Sequence, residues 1–417
     1  MKKKSLLTLI TIFFLGFIAG DFESKIIKKK IKNFKIKYFT KQDLSLTKND
    51  KTKTTKIKAN SFDLNVEELA SFEVPSDGLP EYVLRTAGFQ IGKSGSSYDY
   101  RIFLQNGTLI DEKKISKINL PKTIIYFLSE DNKNIFHGGL KSVFSLEKRD
   151  FALISNSISR CDYLSIIELK VRRVLIKGDC LPKDEDPDFN GSGGAYFFDN
   201  DNLYISIGTP TSDSEKTSML AQNDKSIYGK ILKISKKDLL NSNLENIDYK
   251  VYSKGHRNPQ GLIKLNNQIF STEHGPQGGD EINLILENAN YGWPIKSLGT
   301  RYGDGKSYKS DKSFVDPIFS FIPSIAPSSL GVCPENLSNF YKSYDCLMSL
   351  SLREQSLYII LFDKKGNKIQ NIEKINLNKR LRHYGLKING DIFFDGNAFF
   401  VSTDDLTIMK INFLNFR

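Results

Sequence analysis

The sequence predicts an all-β protein built by radial repetition of small antiparallel sheets, a β-propeller, and three observations carry that prediction. Aromatic residues make up 12% of the chain, with 29 Phe and 18 Tyr, and aromatic side chains favour strands. From about residue 66 onward, short apolar runs alternate with Asn-, Asp- and Gly-rich turns, and convincing helical periods are few. Several hairpin units share one form: a polar turn, an apolar run, then Ser, Thr or Gly with a polar residue. Weak self-similarity of this kind belongs to radial repeats, with a long β-sandwich as the lesser alternative.

The N-terminus reads as an export segment. Lys2, Lys3 and Lys4 precede an almost wholly apolar run from Leu6 to Ala19. That run is short against the roughly 20 residues of a full span, so a cleaved signal peptide over 1–20 and an uncleaved signal-anchor helix both stand. Residues 21–65 are rich in Lys, Thr and Asn without a sustained apolar period and read as a basic stalk or linker. Lys25, Lys28, Lys29 and Lys30 fit a solvated spacer or a contact with anionic lipid headgroups.

Charge location excludes one class of partner. Residues 1–60 hold 16 Lys, no Arg and 4 acidic residues, which accounts for the whole net charge of +12. The remainder balances, 44 basic against 44 acidic. A nucleic-acid-binding domain would carry its positive charge on the folded part, so no nucleic acid partner is expected.

Within 66–417 the hairpins follow in order. Tyr98–Gln105 and Thr108–Asp111 flank Asn106-Gly107, a strong turn signal. Ala195–Phe198 and Leu203–Ile207 flank a run of Asp and Asn; Leu262–Leu265 and Ile269–Thr272 flank Asn266-Asn267-Gln268. Ile392–Phe394 and Ala398–Ser402 flank Asp395-Gly396-Asn397. The second strands of three units end alike, in Gly208, in Glu273-His274 and in Thr403-Asp404. Four cysteines in an exported chain suggest disulfides, and Cys161–Cys180 with Cys333–Cys346 is the simplest of three pairings. No Cys-x-x-Cys occurs and only four His exist, so zinc is not expected.

The densest chemistry lies between Gly255 and Pro294. Arg257, Asn258 and Gln260 surround Pro259 with planar, fork-shaped hydrogen-bonding groups that suit carboxylates or an oxidised ring edge. Gly275-Pro276 and Gly278-Gly279 leave main-chain carbonyls uncovered, and Asp280-Glu281 adds two carboxylates. Oxygen donors of this kind suit Ca²⁺ rather than a transition metal. The sole Trp, Trp293, lies between Gly292 and Pro294 and reads as a loop anchor. The same residues also suit a polar turn that satisfies its own backbone.

Gly255-His-Arg-Asn-Pro-Gln-Gly, Glu273-His-Gly-Pro-Gln-Gly-Gly-Asp-Glu-Ile-Asn283 and Asn290-Tyr-Gly-Trp-Pro294 together resemble the soluble quinoprotein glucose/sorbosone dehydrogenases. The resemblance extends more weakly over 66–417. It implies a six-bladed propeller, periplasmic or anchored to the inner membrane and facing the periplasm. It also implies oxidation of an aldose with pyrroloquinoline quinone (PQQ) and Ca²⁺. Arg257 and Asn258 are then cofactor-binding residues. The carbonyls of Gly275 and Pro276 are ligands of the cofactor's Ca²⁺, and Asp280 and Glu281 belong to a structural Ca²⁺ site. Arg353, after Leu347-Met-Ser-Leu-Ser-Leu, resembles a quinone-contacting basic residue. Arg380 and Arg382 resemble an Arg-x-Arg clamp for a cofactor carboxylate; read alone, they are two solvated charges.

The chain departs from that pattern where the family has its general base. The family's His-x-Gly-Gly-Arg-Leu motif falls on Gly191-Ser-Gly-Gly-Ala-Tyr196, which places Gly191 at the base and Ala195 at the Arg. Phe136-His-Gly-Gly-Leu-Lys-Ser142 stands where the family has Gly-Gln-x-Gly-Leu-Leu-Gly, so His137 is the candidate substitute base. His256 and His274 read as packing or hydrogen-bonding groups, and His383 follows the Arg pair. Two function classes stand: a PQQ- and Ca²⁺-dependent sugar dehydrogenase acting on a small sugar, or a non-catalytic, membrane-tethered propeller that binds a carbohydrate or a protein. A purely structural Ca²⁺-stabilised repeat is a third.

Overall fold

A computed structural model of the chain describes residues 47–49, 53–74, 85–112, 114–121, 139–158, 161–182, 187–210, 215–308, 311–365 and 368–417. The expected export helix and His137 lie outside the described residues.

Six antiparallel sheets form, and in five of them the four main strands pair in chain order. Blade I contains Thr86–Ser94, Ser97–Leu104, Thr108–Asp111 and Ile115–Lys117. Blade II contains Leu140–Leu146, Arg149–Ile158, Cys161–Glu168 and Arg173–Lys177. Blade III contains Gly193–Phe198, Asn202–Ile207, Lys230–Ser235 and Lys250–Lys254. Blade IV contains Pro259–Leu265, Gln268–Glu273, Asp280–Ile285 and Phe319–Phe321. Blade V contains Pro327–Val332, Asp345–Ser351, Ser356–Phe362 and Ile369–Asn376. Blade VI contains Leu381–Tyr384, Ala398–Thr403 and Thr407–Leu414, and its outer strand is Asp63–Glu73 from the other end of the chain. The first strand of each blade touches those of both neighbouring blades, blade VI against blade I included. The six-bladed propeller expected from the sequence is therefore the observed fold.

Closure explains where the sheet begins. Asp63–Glu73 pairs along Thr407–Leu414 and so joins the two ends of the described chain. Its other edge takes Lys53–Lys58 and Thr47–Asn49. The boundary expected at 65/66 thus falls inside a strand. Phe62 and Leu64 are fully buried, and Phe62 packs edge-on against Phe413 with ring centroids 4.9 Å apart. Lys53–Lys58 looked like linker because it is an exposed outermost strand, and lysines on such an edge discourage pairing with other chains.

Apolar clusters lie between blades rather than in one centre. Leu164, Ile166, Phe189, Ile205 and Leu232 join blades II and III, while Leu357, Ile359, Phe399 and Ile411 join V and VI. Close approach of first strands demands glycine in places. A Cβ on Gly261 would lie 2.2 Å from Thr272 Oγ1 and 2.6 Å from Leu330 Cβ. Cys161–Cys180 and Cys333–Cys346 are both disulfide-bonded.

One irregularity positions the site. The first strand of every blade breaks register near its start, between Thr86 and Gly88, Leu140 and Ser142, Gly193 and Tyr196, Pro259 and Gly261, Pro327 and Leu330, and Leu381 and His383. A bulge re-aims the residue it releases from the ladder. First strands of a propeller all run the same way along the axis. The released residues, among them Lys141, Gln260 and Arg382, therefore gather at one end of the ring, here called the mouth. Second strands run antiparallel to the first, so they finish at the same mouth. This is why the repeated strand ends carry polar residues.

Candidate active site

The Arg257-Asn258 turn enters blade IV at the mouth and rests on a buried carboxylate. Glu273 is 4% exposed. Its Oε1 accepts the backbone N–H groups of Arg257 and of Asn258, the latter at 3.2 Å. Its Oε2 lies 3.0 Å from His256 Nδ1. His256 is fully buried, reaches Ser253 Oγ at 2.9 Å through Nε2 and stacks on Tyr291 at 4.7 Å. The expected packing role of His256 holds, and Glu273 is a residue that sequence reasoning missed.

Arg257 projects from this turn. Its Nη1 donates to the His274 carbonyl at 3.2 Å, and its guanidinium lies over Trp293 at 5.4 Å and Tyr302 at 6.0 Å. Its Nε is buried and has no hydrogen-bond partner among the described residues. The Trp293 loop docks on the turn, with Trp293 N–H donating to the Gly255 carbonyl at 3.0 Å. Asn258 is spent partly on the scaffold: its Oδ1 accepts from Gly193 N–H at 3.1 Å and from Gln260 Nε2 at 2.7 Å.

The Gly275-Pro276 loop follows blade IV's second strand. Asp280, 2% exposed, holds it: Oδ1 accepts from Gly275 N–H and Ser324 Oγ, each at 3.0 Å. Oδ2 accepts from Ile325 N–H at 2.8 Å and Ala326 N–H at 2.7 Å. Four donors occupy the four lone-pair sites of the carboxylate, so Asp280 serves as a clamp on the loop. Gly275 and Pro276 are buried, and no hydrogen bond from the described residues ends on either carbonyl oxygen. Glu281 is the next residue of the strand and faces the other way. Burial, then the charge of Glu273, pushes its carboxyl up to about 8, although Asn283 Nδ2 donates to it at 3.1 Å. Asp280 and Glu281 therefore do not converge as a pair of side chains. Among the described residues no group of three or more His, Cys, Asp or Glu is placed to hold a metal.

The remaining cations come from blades V and VI. Arg382 is buried and Arg380 exposed. Both pair with Asp404: Arg380 Nε donates to Oδ2 at 2.8 Å, and Arg382 Nε donates to Oδ1. Burial works to raise the Asp404 carboxyl, but the Arg382 charge and the two arginine hydrogen bonds outweigh it and hold it below the usual range. Arg353 is exposed, and its N–H donates to the Ile325 carbonyl at 3.2 Å, beside the Asp280 clamp. His274 Nε2 meets the Pro327 carbonyl at 2.7 Å and ties blade IV to blade V. Burial, with Arg257 and Arg382, lowers its pKa against the opposing charge of Asp280. His383 reaches the Thr86 carbonyl at 3.0 Å, and burial with Arg382 lowers it to about 4. These two His also serve the frame. A cavity of about 990 Å³ lies elsewhere, at the far ends of the first strands of blades I and II, lined by Ile91, Leu146 and Phe393.

Two further mouth residues escaped sequence reasoning. Lys141 is the bulged residue of blade II, and Asp188 leads into blade III. Burial lowers the Lys141 ammonium to about 7, against Asp188 and with Arg85 and Arg382. Burial raises Asp188, against the Asn190 N–H, Lys141 and Arg257. A signal for Lys141 was present, since a lysine stands where the resembled motif has Leu. Gly191 sits beside the Asn258 turn: a Cβ there would lie 3.3 Å from the Thr209 carbonyl oxygen and 3.9 Å from Asn258 Cβ. Neither it nor Ala195 carries a titratable group.

A family model described as Glucose / Sorbosone dehydrogenase matches residues 173–398, more than half of the chain. The chain belongs to this family. The matched range holds Arg257, Asn258, Gly275, Pro276, Asp280, Glu281, Arg353, Arg380 and Arg382, and leaves Lys141 and His137 outside. The glucose/sorbosone dehydrogenase relatives include Aldose sugar dehydrogenase YliI of Escherichia coli K12, 31% identical over 125 residues. That stretch is 28% of this chain and 33% of the relative, so the alignment spans about a third of that protein. The fold is shared over far more. The apo-form soluble aldose sugar dehydrogenase of Escherichia coli superposes with a TM-score of 0.62 at 19% identity, over 84% of this chain and 99% of that one. The PQQ-bound aldose sugar dehydrogenase of Streptomyces coelicolor gives 0.53 at 18% identity, over 88% and 100%.

Proposed function

We propose that the mouth binds PQQ with Ca²⁺ and oxidises an aldose sugar at its anomeric carbon. The observation that carries this reading is a surplus of cations in a domain that is otherwise charge-neutral. Arg257, Arg353, Arg380 and Arg382 gather at the mouth, Asp404 is the one carboxylate that their side chains bond among the described residues, and the buried Arg257 Nε has no hydrogen-bond partner among those residues. A tricarboxylate fits that imbalance, and a bidentate guanidinium fits its carboxylates.

Each residue then has a task. Arg257 holds one carboxylate, stiffened by Trp293 and Tyr302 on its faces. Arg380 and Arg382, fixed by Asp404, and Arg353 hold the rest. Asn258 orients the quinone edge. The Gly275 and Pro276 carbonyls hold Ca²⁺, because hard oxygen donors suit it, and Asp280 fixes their loop. When bound, PQQ supplies a two-electron acceptor for the anomeric hydride. Sugar hydroxyls enter from the open side of the mouth.

The test is titration of the protein with PQQ, with and without Ca²⁺, by absorbance and calorimetry, followed by an aldose panel with an artificial electron-acceptor dye. Binding that needs Ca²⁺ and is lost in Arg257→Met supports the reading, and absence of PQQ binding refutes it. Gly191 favours a second reading, a propeller that binds cofactor or carbohydrate without turnover; it expects binding and no dye reduction. Two disulfides support an oxidising compartment. We accordingly place the protein on the periplasmic side, reached through its N-terminal segment, and cell fractionation with and without that segment checks it.

A further inference from the structure

We infer that Lys141 supplies the base that Gly191 cannot, its Nζ accepting the proton of the sugar's anomeric hydroxyl. The inference rests on the quinone reading above and adds a residue to it. It stands first on position. The break in pairing between Leu140 and Ser142 frees Lys141 from the blade II ladder at the mouth. The charges that act on its ammonium come from Asp188 at the entry of blade III, Arg85 before blade I and Arg382 of blade VI. Asp188, Arg85 and Arg382 stand at or just before the first strands of blades III, I and VI, at the mouth end where Lys141 leaves the blade II ladder. Asp188 in turn senses Arg257 of the cofactor turn, so Lys141 and Arg257 flank one carboxylate.

The main chain at Lys141 packs closely against the neighbouring blade. Gly194, in the Gly-Gly turn that follows the vacant base position, has no side chain. A Cβ there would lie 3.4 Å from the Lys141 carbonyl oxygen and 3.0 Å from Ser142 Cβ. The main chain of Lys141 on blade II therefore lies against the Gly193-Gly194 turn of blade III, two residues beyond Gly191. Lys141 is half-buried as a residue, and burial is the main cause of its lowered ammonium pKa. Burial, against Asp188 and with the two arginines, brings the ammonium down to about 7, and a base with a pKa near the working pH is the efficient one.

The step balances. The neutral Nζ takes the hydroxyl proton as the O–H bond breaks. The C1–H bond gives its hydrogen and both electrons to the quinone, and the oxygen's electron pair completes the lactone carbonyl. The resulting ammonium faces Asp188 until it returns its proton to water.

Two substitutions and one labelling experiment decide the matter. Lys141→Met should lower kcat by about 10²–10⁴-fold and leave the Kd for PQQ within about threefold, which also shows that the variant folds. Lys141→Arg should lose as much, because a guanidinium keeps the charge and cannot accept the proton. In the wild type, kcat/KM should rise with pH through about 7, and this limb should vanish in both variants. In the apoprotein, trace acetic anhydride at pH 7 should acylate Lys141 ahead of the surface lysines, read by mass spectrometry.

Full activity in Lys141→Arg would make the residue a positioning cation and overturn the assignment. Weaker PQQ binding with unchanged kcat in Lys141→Met would make it a cofactor ligand and overturn it equally. The full loss in His137→Asn together with none in Lys141→Met would place the base at His137. If the wild type binds no PQQ, the quinone reading fails and this inference with it. If PQQ binds and Lys141→Met turns over normally, only the inference fails.

Discussion

Replacing Glu273 by Ala should unfasten the cofactor turn while leaving every proposed cofactor ligand in the sequence. The carboxylate accepts two backbone N–H groups, from Arg257 and Asn258, and pairs with His256, all at 4% exposure. Hydrogen bonds to a charged acceptor contribute about 1.5–3 kcal/mol each, so the two amides alone set a nominal loss of about 3–6 kcal/mol. Relief of a buried charge beside Glu281 offsets part of it, and about 3–4 kcal/mol should remain, a large share of a typical stability of about 5–15 kcal/mol. Glu273→Gln is the control. Its amide oxygen still accepts both N–H groups, so it should cost about 1–1.5 kcal/mol. Urea unfolding followed by fluorescence of Trp293, the sole Trp, reads both variants from beside Arg257 itself. PQQ affinity should fall more in Ala than in Gln. If Ala lies within 1 kcal/mol of the wild type, or no further from it than Gln, the carboxylate does not hold the turn and the account of Arg257 placement is wrong.

Further outcomes follow from the same geometry. Arg257→Lys keeps the charge and loses the fork, and should weaken PQQ by about 10–100-fold in calorimetry. Asp280→Asn loses acceptors for the Ile325, Ala326 or Gly275 amides, and should lower the urea midpoint and raise the Ca²⁺ concentration needed for PQQ binding. Burial and Arg382 lower His383 to about 4 from 6.5, so between these pH values the unfolded chain carries a proton that the folded chain does not. The His383 contribution to stability should therefore fall as pH is lowered through that window, opposed there by Glu281, whose carboxyl is raised to about 8, so the difference between wild type and the His383 variant is the readout. His383→Gln should flatten the slope in part, since His274 is lowered in the same direction. Reducing Cys161–Cys180, which closes a separation of 19 residues, should cost about 3 kcal/mol in unfolding experiments.

The fold was legible because propeller hairpins are local. Asn106-Gly107 and Asn266-Asn267 take the positive φ values that tight turns require, at Gly107 and at both Asn, and their flanking runs became strands where expected. Blade VI was harder. Ile392–Phe394 was read as the partner of Ala398–Ser402, but only Phe394–Asp395 pairs there, and the inner strand is Leu381–Tyr384. Asp63–Glu73 joins that blade across almost the whole chain, and no short-range pattern announces such a closure. In the site, cations and glycines were legible because a motif carries them. Glu273, Asp188 and Lys141 were not, because their importance lies in which distant blade each one faces.

Each buried carboxylate at the mouth acts on a different piece of the cationic apparatus. Glu273 fixes the backbone under Arg257, Asp280 fixes the loop that bears the Gly275 and Pro276 carbonyls, and Asp404 fixes the two arginines of blade VI. Only Asp404 meets arginine side chains, and it is shared between two, so the positive charge at the mouth is oriented without being cancelled. Asp280 spends its charge on four neutral donors, and Glu281, one residue on, is pushed towards the uncharged form. None of these clamps depends on Gly191 or Ala195, so changes at those two positions leave the arrangement of the cations intact. On the proposed reading, Gly191 removes a proton acceptor and leaves the clamps on Arg257, Arg380, Arg382 and the Gly275 loop whole. That separation is what the proposal of a proton acceptor on the neighbouring blade requires.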